Sequence, residues 1–170
     1  MFGPKLATER PEVEPMTKTN TGETVTGGPS VVTRLRRRLP LTRRGLAVFG
    51  GDLLMILAFV AIGLYEHGTT PCADIPRLAK TLVPFLAVWV VAAPLVGAYR
   101  PVALRRYGHA LLAVLVSWVL AVAVGTRIRA TDLFPGGSSP EFVLVAILFG
   151  GLFLVTWRTL AVTVVRYRGA

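Results

Sequence analysis

Apolar residues in this chain gather in four long blocks, at about 46–65, 78–98, 108–127 and 141–163, separated by short polar stretches. A helix needs about 20 predominantly apolar residues to cross the hydrocarbon core of a bilayer. Each block has that length, and a spanning helix satisfies its own backbone hydrogen bonds where no water is present. The pattern predicts an all-α integral membrane domain over 46–165. Short connections make successive helices antiparallel neighbours, so the expected architecture is an up-down-up-down four-helix bundle.

The ends of the blocks carry their own signals. Tyr65, Tyr99, Tyr107 and Tyr167 fall at or just beyond a block end, where an amphipathic ring sits well at the membrane interface. Trp157 fits the same belt, whereas Trp89 and Trp118 lie near mid-helix and are expected between helices or against lipid. Each helix offers two small residues one turn apart: Ala47/Gly51, Ala93/Gly97, Ala121/Gly125 and Ala146/Gly150. Such pairs let helix backbones approach. Pro84 and Pro94 are expected to kink the second helix, and Pro140 to start the fourth.

Residues 1–33 are rich in Thr, Gly, Pro and Glu, with Phe2 as their one aromatic. Such a segment buries too little apolar surface to offset the entropy of ordering and reads as a disordered tail. Met16 is an alternative start to Met1. An arginine-rich segment follows over 34–45, and a short C-terminus of 166–170 closes the chain.

Charge sets the orientation. With the N-terminus inside, the cytoplasmic side holds Arg34, Arg36, Arg37, Arg38, Arg43 and Arg44, then Arg100, Arg105 and Arg106, then Arg158, Arg166 and Arg168. The other side holds Arg77, Lys80, Arg127 and Arg129. Twelve against four favours cytoplasmic N- and C-termini in the cell membrane. The first six arginines are expected to contact anionic lipid head groups. No aromatic residues interleave with them for base stacking, so nucleic acid is not the expected partner. "TRRGLAV" is similar to a twin-arginine export signal, but three further spans follow and no small-residue cleavage site closes the first.

The composition agrees: 53% of the 170 residues are hydrophobic and only 16% charged, against about a quarter charged in soluble domains. One cysteine, Cys72, excludes an intrachain disulfide and a CxxC site.

One carboxylate lies inside the first apolar block. Asp52 is six residues past Leu46, roughly 9 Å along the helix at 1.5 Å per residue. Arg158 lies five residues before the expected end of the fourth helix, at Thr163, roughly 8 Å deep by the same rise. An acid and a base at matching depth suggest an interhelical ion pair. Three readings stand: a structural clamp between the first and last helices, simple solvation at the interface, or a proton or cation site tuned by Arg158.

On the outer side, Glu66, His67, Arg127, Arg129 and Asp132 form a candidate polar cluster, read as a ring of ion pairs. With Cys72 and Asp74 nearby, zinc comes to mind, but the spacing matches no ligand pattern. "LFPGGSSPEF" lacks the lysine of a phosphate-binding loop and reads as a tight turn. No catalytic cluster and no cofactor site is legible, and His67 and His109 should lie on opposite sides of the membrane.

Several segments together carry a family resemblance: "DLLMILAFVAIGLYEHG" with its early Asp52, "PFLAVWVVAAPLVGAY" from Pro84, "IRATDLFPGGSSPEFVLV" from Ile128, and "TWR" ending at Arg158. In their order and spacing, over about 46–165, the chain resembles an uncharacterised prokaryotic (actinobacterial and haloarchaeal) membrane family, Domain of Unknown Function 3054. The resemblance implies a four-span integral membrane protein and carries no catalytic assignment. The long tail departs from the short N-termini of that family, which favours Met16 as the start. Three function classes remain: a structural or accessory membrane protein, which can also belong to a homo-oligomer or larger complex; a small oligomeric transporter or channel subunit; and a membrane enzyme acting on lipid or quinone.

Overall fold

A computed structural model describes residues 39, 42–134 and 139–167. The tail over 1–33, Met16, four of the six basic-segment arginines (Arg34, Arg36, Arg37 and Arg38), Gly136 and Gly137 of the last loop, and Arg168 lie outside the described residues. The described chain is all-helical. Its four helices are α1 (Arg43–Glu66), α2 (Ile75–Val96), α3 (Tyr107–Arg129) and α4 (Pro140–Tyr167), each long and apolar enough to cross a membrane.

Three helices begin where a polar side chain caps them, one to three residues ahead of the apolar blocks. Thr42 Oγ1 accepts from the Gly45 N–H at 3.0 Å, and Asp74 Oδ1 accepts from the Arg77 N–H at 3.0 Å. Ser139 Oγ accepts from the Phe142 N–H at 3.3 Å, with Pro140 in the first turn. Each cap satisfies an N–H that has no partner within its helix.

α2 ends two residues early, and its ending shapes the site. Gly97 adopts the left-handed conformation, φ 88°, which suits a residue with no Cβ. The Ala98 N–H bonds the Ala93 carbonyl at 2.9 Å and the Gly97 N–H bonds the Pro94 carbonyl at 3.0 Å. These are the two bonds of a Schellman cap. The turn sends Ala98 and Tyr99 back into the protein, where both are buried.

α4 contains a wider π turn over Ala146–Gly150. Trp118 on α3 donates from Nε1 to the Ala146 carbonyl at 2.9 Å. A Cβ on Gly150 would run into the Trp118 ring, so the glycine makes room for the indole. The other small residues behave similarly. Gly51 receives the ring of Trp157 and Gly125 that of Phe85. The glycines of three of the four small-residue pairs therefore make room for an aromatic ring, whereas Gly97 faces the side chain of Arg100.

Those rings form the core. Trp89, Trp118 and Phe85 are fully buried. Phe85, Phe59 and Trp89 all stack on Trp118, with centroids 5.9–6.3 Å apart, a separation favourable for edge and tilted pairs. Outside the core, Leu54, Ile62, Val91, Leu112 and Leu152 are exposed. Only 28–39% of each apolar window is buried inside the chain. A water-soluble bundle would carry polar residues on those outer faces.

Candidate functional site

Asp52 and Arg158 are both completely buried, and they are in direct contact. Arg158 Nε donates to Asp52 Oδ1 at 2.9 Å and Nη2 donates to Oδ2 at 2.5 Å. This two-pronged match is the strongest geometry available to a guanidinium and a carboxylate. Arg158 Nη1 donates to the Ala98 carbonyl at 2.8 Å, so one side chain of α4 grips α1 and the turn after α2 together.

Tyr99 completes the group. Its hydroxyl donates to Asp52 Oδ2 at 2.8 Å and accepts from Trp89 Nε1 at 3.2 Å. Its ring lies under the Arg158 guanidinium, 5.0 Å from Cζ, and meets Phe49 of α1 edge-on. Burial first, and the Asp52 charge second, push the Tyr99 phenol above its ordinary value, so it remains a protonated donor. The position of Tyr99 follows from Gly97, whose left-handed turn redirects the chain after α2 toward the buried side.

Asp52 thus receives three hydrogen bonds from charged or polar donors, and both of its oxygens are engaged. The gap beside Arg158, bounded by Val48, Leu104, Ala161 and Val162, has about 0 Å³ of room for water. The neighbouring turn of α1 is tied to α4 by Trp157, which donates from Nε1 to the Val48 carbonyl at 3.2 Å. Chemically, this arrangement can hold three chain segments in register. Among the described residues, both carboxylate oxygens already have donors.

The remaining sequence-derived residues are dispersed. Arg43 and Arg44 are exposed in the first turn of α1. Glu66, His67, Arg127 and Asp132 are exposed, and no salt bridge among the described residues links Glu66 or Asp132 to Arg127. Arg129 differs from its expected companions: it is buried, with its guanidinium 4.7 Å from the Phe142 ring centroid and 5.9 Å from that of Phe85. Its setting is a cation between aromatic faces. Among the described residues no group of three His, Cys, Asp or Glu side chains could hold a metal ion.

Sequence reasoning missed Tyr99, Trp89 and the Ala98 carbonyl. The available signal was Gly97 ahead of Tyr99, a helix-ending glycine that implies a change of direction.

Among known proteins, the model of the family described as "Protein of unknown function (DUF3054)" matches residues 49–161. That stretch includes Asp52, Trp89, Ala98, Tyr99 and Arg158. No curated protein and no solved structure matches the chain.

Proposed function

Since the chain belongs to the DUF3054 family, which brings no activity with it, we propose that it is a structural or accessory component of the cell membrane. Its four helices alternate in direction, and both termini face the cytoplasm. The orientation rests on the basic residues, twelve against four, and on the positive-inside rule. Asp52, Ala98, Tyr99 and Arg158 then lie at the cytoplasmic end of the bundle, and Arg129 at the outer end. Arg43 and Arg44, with the basic segment before them, meet anionic head groups there.

The observation that carries this reading is the saturation of Asp52. A proton or cation site must exchange its ion with water, and this carboxylate has both oxygens engaged and no room for water beside its partner. It acts as a clamp between α1, α4 and the turn after α2. The test is ion flux through proteoliposomes holding the full chain, with a reporter fused at Ala170 to fix the side of the C-terminus. The reading expects no proton, sodium or potassium flux above empty vesicles and a cytoplasmic reporter. A flux abolished by Asp52→Asn in a folded protein would overturn the clamp in favour of transport, and an external reporter would overturn the topology.

A further inference from the structure

A cavity of about 840 Å³ opens at the other end of the bundle from Asp52. Its origin is visible in the packing. The first turns of α4 approach α3 and stand away from the backbones of α1 and α2, leaving a wedge between them. The walls are apolar, with Phe59, Val60 and Leu64 from α1, Phe142 and Val145 from α4, and Phe134 from the last loop. The cations are concentrated on two sides. Arg77 and Lys80, three residues apart and so on one face of α2, line it together with Arg129. His67 and the carboxylate of Asp74 also border the space, and Asp74 is already engaged as the α2 cap.

Arg77 and Lys80 are exposed permanent cations, and the one carboxylate beside them is already spent on the α2 cap, so the pair suits an anion. Aromatic and aliphatic walls beside them call for an apolar body. The volume falls within the range of small-molecule pockets, about 300–1,000 Å³. Arg77 and Lys80 stand in the first turn and a half of a spanning helix, which is the depth of lipid head groups. We infer that this cavity binds one anionic lipid, its phosphate held by Arg77 and Lys80 and the start of its acyl chain lying against Phe59 and Phe142. The inference rests on the chain spanning a membrane, and it places a specific lipid on the side opposite the arginine-rich segment.

The test uses the full chain purified in mild detergent, with native mass spectrometry read against added dioleoyl phosphatidylglycerol, dioleoyl phosphatidylcholine and inorganic phosphate. The zwitterionic lipid controls for lipid coating the outer surface, and the phosphate controls for a plain anion site. The inference expects one phosphatidylglycerol retained per chain at energies that strip phosphatidylcholine, and no effect of phosphate. Arg77→Gln/Lys80→Gln changes two exposed side chains and should leave the fold intact. It should weaken retention roughly tenfold or more, since each basic residue at an anionic lipid surface contributes severalfold in affinity. Equal retention of the two lipids, or unchanged retention in the double variant, would overturn the inference. Competition by inorganic phosphate would replace the lipid with a free anion. A chain that needs detergent for extraction yet shows no lipid preference sinks this inference and leaves the membrane reading standing.

Discussion

Arg158 and Asp52, 106 positions apart in sequence, are joined through two hydrogen bonds, while the third arm of the guanidinium holds the Ala98 carbonyl. The pair therefore joins three chain segments, and it depends on the planar fork of arginine. Lysine keeps the charge but has no fork. Arg158→Lys should lower stability by about 1.5–3 kcal/mol, the worth of a hydrogen bond to a charged group. Thermal unfolding in mild detergent, followed by loss of the monodisperse peak, measures it. Unchanged stability would mean that the fork is not needed.

Tyr99→Phe removes the donor to Asp52 Oδ2 and the acceptor for Trp89 Nε1. It keeps the ring under Arg158. The expected loss is about 1–3 kcal/mol, the cost of leaving a buried polar group unsatisfied. The burial of Trp89 gives an optical readout, since its indole N–H loses its partner and its fluorescence should change while the fold persists. A silent substitution would place the Tyr99 hydroxyl outside the clamp.

Gly97→Ala tests how the turn positions the site. The residue sits at φ 88°, and an added Cβ would lie 2.7 Å from Arg100 Cδ. The left-handed conformation alone costs an L-residue about 1–2 kcal/mol. The variant should be destabilised by at least that amount, and it should weaken the coupling of Tyr99 to Asp52, because both depend on the same turn.

The neighbouring glycines Gly50 and Gly51 should respond in opposite ways. A Cβ on Gly50 meets nothing within 4 Å, so Gly50→Ala should be neutral or gain up to about 1 kcal/mol in helix propensity. A Cβ on Gly51 strikes the Trp157 indole, and overpacking of this kind costs about 1–3 kcal/mol. Parallel melting curves of the two variants check the contrast.

The four helices were legible because an apolar block of membrane length has few other uses. Their ends were shifted by a few residues because the caps, Thr42, Asp74 and Ser139, are polar and lie outside the apolar blocks. That Asp52 and Arg158 lie toward the same end of the bundle could be counted along their helices. Their enclosure could not, since it depends on Tyr99 folding inward, and a tyrosine just past an apolar block reads the same at an interface. The π turn over Ala146–Gly150 left no pattern, and the indole that bonds its Ala146 carbonyl comes from another helix. Arg129 read as one of an outer ring of charges, yet its aromatic neighbours Phe85 and Phe142 come from α2 and α4 and meet only in three dimensions.

The most direct test of the clamp is a double-mutant cycle on Asp52→Asn and Arg158→Gln, read as unfolding free energy in mild detergent. Removing one charge leaves the other buried and uncompensated, which costs about 3–5 kcal/mol. Removing both leaves no buried charge. The account predicts that the double variant loses clearly less than the two single losses combined. Additive losses, or single variants as stable as the wild type, would contradict it and return Asp52 to the status of an unexplained carboxylate in a long apolar helix.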